Sequence, residues 1–597
     1  GTAASHTFTN NINISIKNTG NAKTLVGLYA SGQGSLTNSG NIKAENDGTY
    51  GILSKGIDVV NTGTITVGDK ASTASDAVGI YAKNANITTD GYKIVVQGNG
   101  NGSKEPIGIY AVSDNTLLTL KKITINQGAG TGMSVKGKKA IGIYVEDNST
   151  DNKKLELINN SDITLTDSVT QADKRIGIVL KKVKNGDNVT DGKITVGKNN
   201  IGIYNEDSIL THRGTLDVKH SEDNTQNIGI HNTGKFEFNV VKDSSNPGLI
   251  DVEGHAGTVG ISAETKNATD SGKILLGSAK INVKATDMGD GKIPLGIYAK
   301  GNNLTISSKE VTSGVKPEFT VSPNAVGVYM NGNGTSKMEG INSDYKFNLS
   351  SENTKDRIGI GAYLTGGAYA TTAAGKKVEV TSSQTKTNSD GAIRPIGLFY
   401  GANSTKNEAN INITGNNEVI GMYGKDLSAF TNSGQIDIGT KAIGAYFANS
   451  NVTNKGKVNV NANNAYGLYL KGGNSTTEAD IAASGKNSVG ALVTGSSAKF
   501  KNIGGNIIAS KAENSIGVYA KDGAEFKNSG ELKSEHVNSI GAYADGAKLV
   551  NAASGLIESK NVALYAKTSS NVTNSGTIDI KSGNGIVATD KTTVDLL

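Results

Sequence analysis

Cysteine and tryptophan are absent from the 597-residue sequence, and only six prolines occur in it. The lack of cysteine excludes disulfide bonds, thiolate metal sites and cysteine nucleophiles together. The prolines all lie between Pro106 and Pro395, so the sequence on either side contains no residue that removes an amide donor from a hydrogen-bonded ladder. No run approaches about 18 consecutive apolar residues, so the sequence offers no candidate for a membrane-spanning helix.

A dominant charge is missing as well. The net charge of +6 is spread over the whole length, with lysine and aspartate interleaved. Proteins that bind nucleic acid concentrate basic residues in a patch or a stripe, so this dilute charge does not indicate a nucleic-acid partner.

The abundant feature is a short motif in which an aliphatic residue, glycine, a second apolar residue and tyrosine follow one another. About 21 copies occur, counting degenerate ones, and Val26–Tyr29, Ile141–Tyr144 and Ile443–Tyr446 are examples. Between residues 397 and 490 the motif glycines recur every 23 or 24 residues. Self-similarity at a short fixed period is the mark of a solenoid.

Each repeat has a second half, in which an Asn-x-Gly turn precedes a short alternating run. Asn432–Gly434 followed by Ile436–Ile438 is the clearest copy. Asparagine and glycine both tolerate positive φ, as tight turns require. No apolar stripe with the 3.6-residue period of a helix is sustained, so each repeat is predicted to form two or three short strands.

A repeat with one apolar face per strand cannot bury that face alone, so the repeats must coil and stack at about 4.8 Å per rung. We therefore predict an all-β fold, a right-handed parallel β-helix of about 21 rungs with loop insertions in the middle. Period-two alternation places Ile443, Ala445 and Val460 in the interior. The asparagine of each turn should hydrogen-bond along the axis to its equivalent in the next rung.

The same alternation assigns Gly444 and Tyr446 to the outer face, where the tyrosine ring would cover the bare glycine backbone. Repetition then produces a ladder of tyrosines. We interpret this ladder as structural, and the alternative is an exposed aromatic strip for sugars or protein loops.

Spacing and proline content divide the sequence into three regions. Residues 1–80 read as regular rungs, residues 81–400 as rungs with polar insertions, and residues 401–597 as regular, stalk-like rungs. Inserted loops usually carry the function of repeat proteins, so the middle region is the candidate binding region. The insertions are Gln97–Pro106, Glu146–Lys154, Val241–Gly248, Ser262–Lys273 and Met330–Asp356.

The ligand-binding candidates are positions at which a rung departs from the consensus of the repeat. Val179, His231 and Ser262 stand where tyrosine is expected. Phe399 replaces tyrosine shortly after Arg394. Such positions have either drifted or been reshaped to contact a partner. We take His231, Ser262, Arg394 and Phe399 as surface candidates.

Enzymatic activity is not expected, although some parallel β-helix proteins cleave polysaccharides. Carboxylate glycosidase chemistry needs two acids held at a defined separation, and no such pair can be assembled from the sequence. Histidines cluster in sequence between residues 212 and 255 but lack the spacing of a zinc site. We predict no catalytic residue, no cofactor and no metal.

The strand motif of the type Ala442–Tyr446, together with the turn motif of the type Asn574–Ile578, resembles the passenger regions of type V monomeric autotransporters. It is most similar to the very large fusobacterial outer-membrane adhesins. The resemblance extends from Val26 to about Val587. It implies export by a signal peptide, anchoring to the outer membrane by a C-terminal barrel, and adhesion at the bacterial cell surface.

The leading functional hypothesis is a monomeric adhesin segment that binds a host-cell surface protein or glycan, or the surface of another bacterium in coaggregation, biofilm formation and virulence. The alternative is a spacer that binds nothing and presents a distal domain. Gly1–Asn10 lacks a signal-peptide pattern and Thr592–Leu597 lacks a cap. We therefore expect a mature or excised segment that is followed by further rungs or another domain.

Overall fold

Short strands account for most of the fold, which is known from a computed structural model. The residues that it describes are 6–19, 24–68, 76–91, 93–101, 104–127, 132–168, 170–220, 226–241, 248–255, 257–286, 293–310, 315–352, 357–382, 394–415, 418–503 and 507–597. Contacts divide the chain into two units, the first comprising Gly1–Leu304 with Glu310–Val315 and the second Thr305–Lys309 with Lys316–Leu597.

In the first unit each rung contributes one strand to each of three sheets, named here by position in the repeat. The motif sheet carries the tyrosine motif and consists of Leu25–Ser31, Thr49–Lys55, Val78–Lys83, Ile107–Val112, Ile141–Glu146, Ile176–Lys181, Ile201–Glu206, Asn227–Thr233, Thr258–Glu264 and Leu295–Gly301. The asparagine sheet follows it and consists of His6–Asn10, Gly34–Asn38, Asp58–Asn61, Ile87–Thr89, Lys121–Ile125, Leu155–Asn159, Val189–Thr190, Ile209–His212, Phe236–Val241 and Gly272–Gly277. The closing sheet completes the rung and consists of Ile14–Ile16, Ile42–Ala44, Ile65–Val67, Ile94–Val96, Met133–Val135, Ile163–Leu165, Ile194–Val196, Thr215–His220, Leu249–Gly254 and Lys280–Ala285.

The second unit repeats the same three-strand rung. Its motif strands are Ala325–Gly332, Arg357–Thr365, Ile396–Tyr400, Ile420–Lys425, Ile443–Ala448, Tyr466–Lys471, Val489–Thr494, Ile516–Lys521, Ile540–Asp545, Val562–Lys567 and Asn584–Ala588. Its asparagine-sheet strands are Leu304–Lys309, Lys337–Gly340, Tyr369–Thr372, Lys406–Asn407, Phe430–Asn432, Val452–Asn454, Asn474–Thr477, Lys499–Asn502, Glu525–Asn528, Lys548–Asn551, Asn571–Asn574 and Thr593–Leu596. Its closing strands are Glu318–Val321, Tyr345–Leu349, Val378–Ser382, Ile411–Thr414, Ile436–Ile438, Val458–Val460, Ile481–Ala483, Ile507–Ser510, Glu531–Ser534, Leu556–Ser559 and Thr577–Ile580.

The strands pair in parallel with the equivalent strands of adjacent rungs, so that Tyr446 has Tyr423 and Tyr469 as its register partners. The described residues include one two-residue strand, Ser351–Glu352, that pairs antiparallel, and one helical element, the 3₁₀ turn Gln171–Asp173. Within this part of the chain no helix is long and apolar enough to cross a membrane. The predicted parallel β-helix is confirmed, and parallel crossover connections favour its right-handed form.

The interior is built from aliphatic columns that repeat from rung to rung. Ile436, Ile438, Val458 and Val460 of the closing sheet are all fully buried. Each such side chain contributes roughly 1.5–3 kcal/mol relative to remaining exposed. Stability is therefore distributed along the axis, as expected for an array of rungs that contact only their neighbours.

A buried column of asparagines also runs along the axis and confirms the predicted amide ladder. The side-chain Nδ2 of Asn407 donates to Oδ1 of Asn432 at 2.8 Å, and Asn432 donates to Asn454 at the same distance. Each amide also donates to a backbone carbonyl of its own turn, which for Asn432 is that of Gly434 at 3.0 Å. The column satisfies polar groups that would otherwise be costly to bury.

The predicted alternation around Gly444 is wrong. Ile443 belongs to the outer face, where it packs with tyrosines of its own and adjacent rungs. Gly444 points inward instead, because a methyl group built on it would lie 2.6 Å from Cδ1 of Ile438. Adjacent rungs keep the same register on both sides of this glycine, but the period-two alternation is broken at it, which places the first and fourth motif residues outside and the third inside.

The close approach of backbone explains why glycine recurs in the motif. A Cβ on Gly444 would lie 2.6 Å from the carbonyl oxygen of Gly467 in the next rung. The same contact is 2.7 Å for Gly421 against Gly444 and 2.5 Å for Gly79 against Gly108. A side chain at this position would crowd the adjacent rung, so stacking favours glycine, although one described rung carries Ala563 there. The proposed covering of glycine by the tyrosine ring does not occur.

Candidate functional site

The fourth motif residue of each rung forms an outer aromatic column, called here the tyrosine ladder. In the second unit, ring centroids are separated by 5.2 Å between Tyr423 and Tyr446 and by 4.6 Å between Tyr446 and Tyr469. In the first unit, Tyr110 and Tyr144 are 4.8 Å apart. These rings are half-buried by one another, and burial raises the pKa of Tyr446 to about 12. Such packing supports the structural interpretation of the ladder.

The ladder is interrupted at six described positions. Sequence reasoning identified Val179, His231 and Ser262, and the strand register adds Leu53, Leu492 and Val587. Leucine and valine keep the column apolar and filled, and Val179 and Leu492 are both buried. His231 and Ser262 are the two successive replacements that introduce polar side chains, and Ser262 also removes the ring.

A groove opens on the outer face of the motif sheet at these two replacements. It encloses about 520 Å³, within the range typical of small-molecule sites. We call it the ladder groove. Its lining consists of Ile201, Ile228, Val259 and Leu295 from the first motif position, Tyr204, His231, Ser262 and Tyr298 from the ladder, and Lys174, Asn199, Gln226, Gly257 and Glu264 beside them.

His231 and Ser262 are joined directly within the groove. Nδ1 of His231 lies 3.1 Å from Oγ of Ser262. The imidazole also packs against the ring of Tyr204, with 5.4 Å between centroids. Burial is the main cause of a lowered pKa for His231, opposed by Glu264 and reinforced by Lys174. The imidazole is therefore neutral near pH 7 and presents an aromatic face.

The charges at the groove are balanced. Lys174 and Glu264 are the charged side chains of its lining. Just outside, Lys266 pairs with Glu206, with 2.8 Å between Nζ and Oε1. This arrangement does not select an anion or a cation by net charge.

Arg394 and Phe399 lie in the second unit and have structural contacts. The guanidinium of Arg394 pairs with Glu418, 3.2 Å from Nη2 to Oε2. Phe399 is stacked between Tyr363 and Tyr423, at centroid distances of 4.4 and 5.0 Å. Phenylalanine therefore continues the ladder at this rung, and the structure brings neither residue into a groove with His231 and Ser262.

The sequence-predicted insertions differ in structure from one another. Glu146–Lys154 is held by the buried carboxylate of Asp147, which accepts hydrogen bonds from Ser113 Oγ and from the amides of Ser149 and Lys154. Much of Met330–Asp356 is regular, because it contains the strands Lys337–Gly340 and Tyr345–Leu349. It is a full rung and not a long loop.

Ser262–Lys273 is described throughout, whereas three insertions are described only in part. In Ser262–Lys273, the amides of Lys266 and Asn267 donate to the carboxylate of Asp270. Residues 102–103 of Gln97–Pro106, residues 242–247 of Val241–Gly248 and residues 353–356 of Met330–Asp356 lie outside the described part of the chain.

In the part of the chain that the structure describes, the histidines that cluster in sequence between residues 212 and 255 do not form a metal site. His212 is fully buried and bonds through Nδ1 to Oγ1 of Thr190 at 2.9 Å, whereas His231 faces the groove. Across the described residues, no group of three or more His, Asp or Glu side chains is arranged to hold a metal ion.

Groove residues other than His231 and Ser262 were not predicted. Asn199, Gln226 and Gly257 each stand two residues before a motif strand's first aliphatic residue, as does Lys174. Their shared position relative to the motif is the signal that would have identified them.

Comparison with known proteins adds little to this geometry. No protein-family model matches the chain, and no curated protein matches it. A cryo-EM structure of the Vag8–C1 inhibitor complex aligns over 98% of this chain and 100% of that chain, with 11% identity and a TM-score of 0.24. A likeness this distant assigns neither a family nor a function.

Proposed function

We propose that this chain is a binding segment of a bacterial surface adhesin, and that the ladder groove is its binding site. The observation that carries the proposal is the loss of ladder bulk at His231 and Ser262, which turns a closed column into an open groove. The groove combines apolar lining, aromatic faces and a few polar groups, the usual composition of a ligand site.

The spacer alternative explains the regular rungs but not the groove. A spacer gains nothing from a gap in its outer column, because each missing aromatic contact lowers stability. At Val179 and Leu492 the ladder level holds an apolar side chain, whereas at Ser262 it holds a small hydroxymethyl group that is itself buried and lines the groove. This contrast favours a role in binding at the latter position.

The wider context of the proposal rests on sequence resemblance to autotransporter passengers, in particular to the large fusobacterial adhesins. That resemblance implies a monomeric chain outside the cell that is anchored to the outer membrane. The partner is then the surface of a host cell or of another bacterium, and the chain is not an enzyme.

The test uses beads coated with the 597-residue chain and measures their attachment to cultured epithelial cells and to heterologous bacteria. Ser262→Tyr should refill the ladder and reduce attachment roughly ten-fold, because the ring would occupy the groove. Leu492→Tyr is the matched control, since it adds the same ring to a ladder position without a groove. Its attachment should equal that of the parent chain.

Two outcomes would overturn the proposal. Undiminished attachment of Ser262→Tyr would place the binding site elsewhere on the chain. Attachment to neither kind of surface would support the spacer alternative.

A further inference from the structure

The gap in the tyrosine ladder has the thickness of one rung. His231 and Tyr298 belong to rungs on either side of Ser262, so their backbones are separated by two rung spacings, roughly 9.6 Å. In intact parts of the ladder, consecutive rings are 4.6 to 5.2 Å apart. One flat ring at the level of Ser262 would therefore lie between the side chains of His231 and Tyr298.

We infer that the ladder groove binds one uncharged pyranose ring of a glycan, held at the level of Ser262 between His231 and Tyr298. The inference rests on the proposed function and specifies its ligand. The weakly positive C–H faces of a sugar ring complement the negative face of an aromatic ring. The neighbouring first-position residues Val259 and Leu295 provide an apolar lining for the same ring.

Polar groups for sugar hydroxyls are present beside the gap. The hydroxyl of Ser262 bonds to His231 and retains capacity for a second hydrogen bond, because it has one donor and two acceptor lone pairs. The amide of Gln226 and the carboxylate of Glu264 also line the groove. A purely aromatic side chain from a protein partner would displace water from these polar groups without forming hydrogen bonds to them. That loss disfavours such a side chain as the occupant.

Charge argues for an uncharged ring. Lys174 and Glu264 supply one charge of each sign to the lining. A sialylated or sulfated sugar would be attracted by Lys174 and repelled by Glu264, so it would lose the hydration of its charge without a net electrostatic gain. A neutral hexose has no charge to desolvate.

The direct test measures binding of methyl β-D-galactoside, methyl β-D-glucoside and methyl α-D-mannoside to the full chain by saturation-transfer NMR and calorimetry. A printed array compares neutral glycans with sialylated and sulfated ones. At least one neutral pyranoside should bind, and Ser262→Tyr and Tyr298→Ala should each weaken it roughly ten-fold. Leu492→Tyr should leave the affinity unchanged.

The outcomes separate this inference from the proposed function. Attachment to cells that survives periodate oxidation of their glycans, yet is lost in Ser262→Tyr, would keep the groove as the adhesive site and overturn the sugar. Pyranoside binding at the groove without attachment to cells would keep the sugar and overturn adhesion. Preference for acidic glycans, or neutral binding unchanged in Ser262→Tyr, would overturn the inference.

Discussion

The rungs from Tyr423 to Tyr469 and those from Tyr204 to Tyr298 follow the same backbone plan but differ on the outside. In the first set, each ring contacts the next at centroid distances of 5.2 and 4.6 Å. In the second, His231 and Ser262 interrupt the column and a groove opens. Both sets keep the motif glycine and the fully buried third motif residue. The buried residues determine the backbone shape of the rung, so residues of the outer column can be replaced without altering that shape.

The inner amide column shows a related difference. Asn407, Asn432 and Asn454 form an unbroken chain of hydrogen bonds in the second unit. In the first unit, Thr190 and His212 occupy successive positions of this column. The imidazole bonds to the threonine hydroxyl, and its Nε2 has no hydrogen-bond partner. At His212 the column therefore has a buried polar atom without a hydrogen bond, which the amide ladder from Asn407 to Asn454 does not.

The largest effect is expected from placing a carboxylate inside a regular rung. Ile438→Asp should lower the free energy of unfolding by about 4 kcal/mol, because the interior offers the charge no partner. Ile443→Asp should cost clearly less, since Ile443 lies on the outer face with 8% of its surface exposed. Hydrogen exchange of rungs 420–490 measures both. Equal effects would contradict the assignment of Ile443 to the outer face.

Acid should weaken the rungs around His212 by a smaller amount. Burial lowers the pKa of His212 to about 4 in the folded chain, against 6.5 ordinarily. As the pH falls, His212 is protonated in the unfolded chain before it is protonated in the folded chain. The free energy of unfolding therefore decreases by about 3 kcal/mol between about pH 6.5 and 4.

His212→Asn restores an amide to the inner column and is the control for that acid effect. Hydrogen exchange of Ile209–His212 should become faster on moving from pH 7 to about 4.5 in the parent chain, after correction for intrinsic rates. The same pH change should have little effect in the variant. Equal acid sensitivity in both chains would assign the loss to other groups.

Gly444→Ala should cost about 1–3 kcal/mol, because the added methyl overpacks the contact with the carbonyl of Gly467. Gly334→Ala is the matched control, since nothing lies within 4 Å of a Cβ there. That change should remain within about 0.5 kcal/mol of the parent. Urea unfolding of both variants makes the comparison, and a neutral Gly444→Ala would show that the rungs can separate locally.

The smallest effect on stability is expected from the ladder itself. Tyr469→Ala should lower stability by about 1–1.5 kcal/mol through the lost ring contact with Tyr446 and leave attachment to cells unchanged. Tyr298→Ala should have the opposite profile, with reduced attachment. Attachment assays and thermal unfolding on both variants test this pairing, and loss of attachment in Tyr469→Ala would make the ladder a binding surface.

The fold was predictable because its signals are repeated in nearly every rung. The Asn432-type turn and the closing strand Ile436–Ile438 gave the strand order and the amide ladder correctly. The orientation of Ile443 was not predictable from alternation, because Gly444 and Ala445 both point inward and the alternation is broken between them. The inward glycine depends on the close approach of the adjacent rung's backbone, which a local pattern does not contain.

The site was predictable in part. Departure from consensus identified His231 and Ser262, which the structure joins in one groove. The same criterion selected Phe399, which in the structure fills its ladder position. A sequence does not show whether a replaced side chain still fills the column or leaves a space. Lys174 and Gln226 were missed because the position two residues before the motif varies in residue type, although its place in the repeat is constant.

The glycine-to-glycine contact between rungs also bears on how genes of this kind change length. Every rung begins and ends in the same columns, so an in-frame deletion of one repeat leaves its neighbours in register. A deletion of residues 232–262 would place His231 in the rung beside Tyr298 and remove the open level at Ser262. Recombination between repeats could thus silence the groove in a single event while leaving the fold intact, and a reciprocal duplication could restore it.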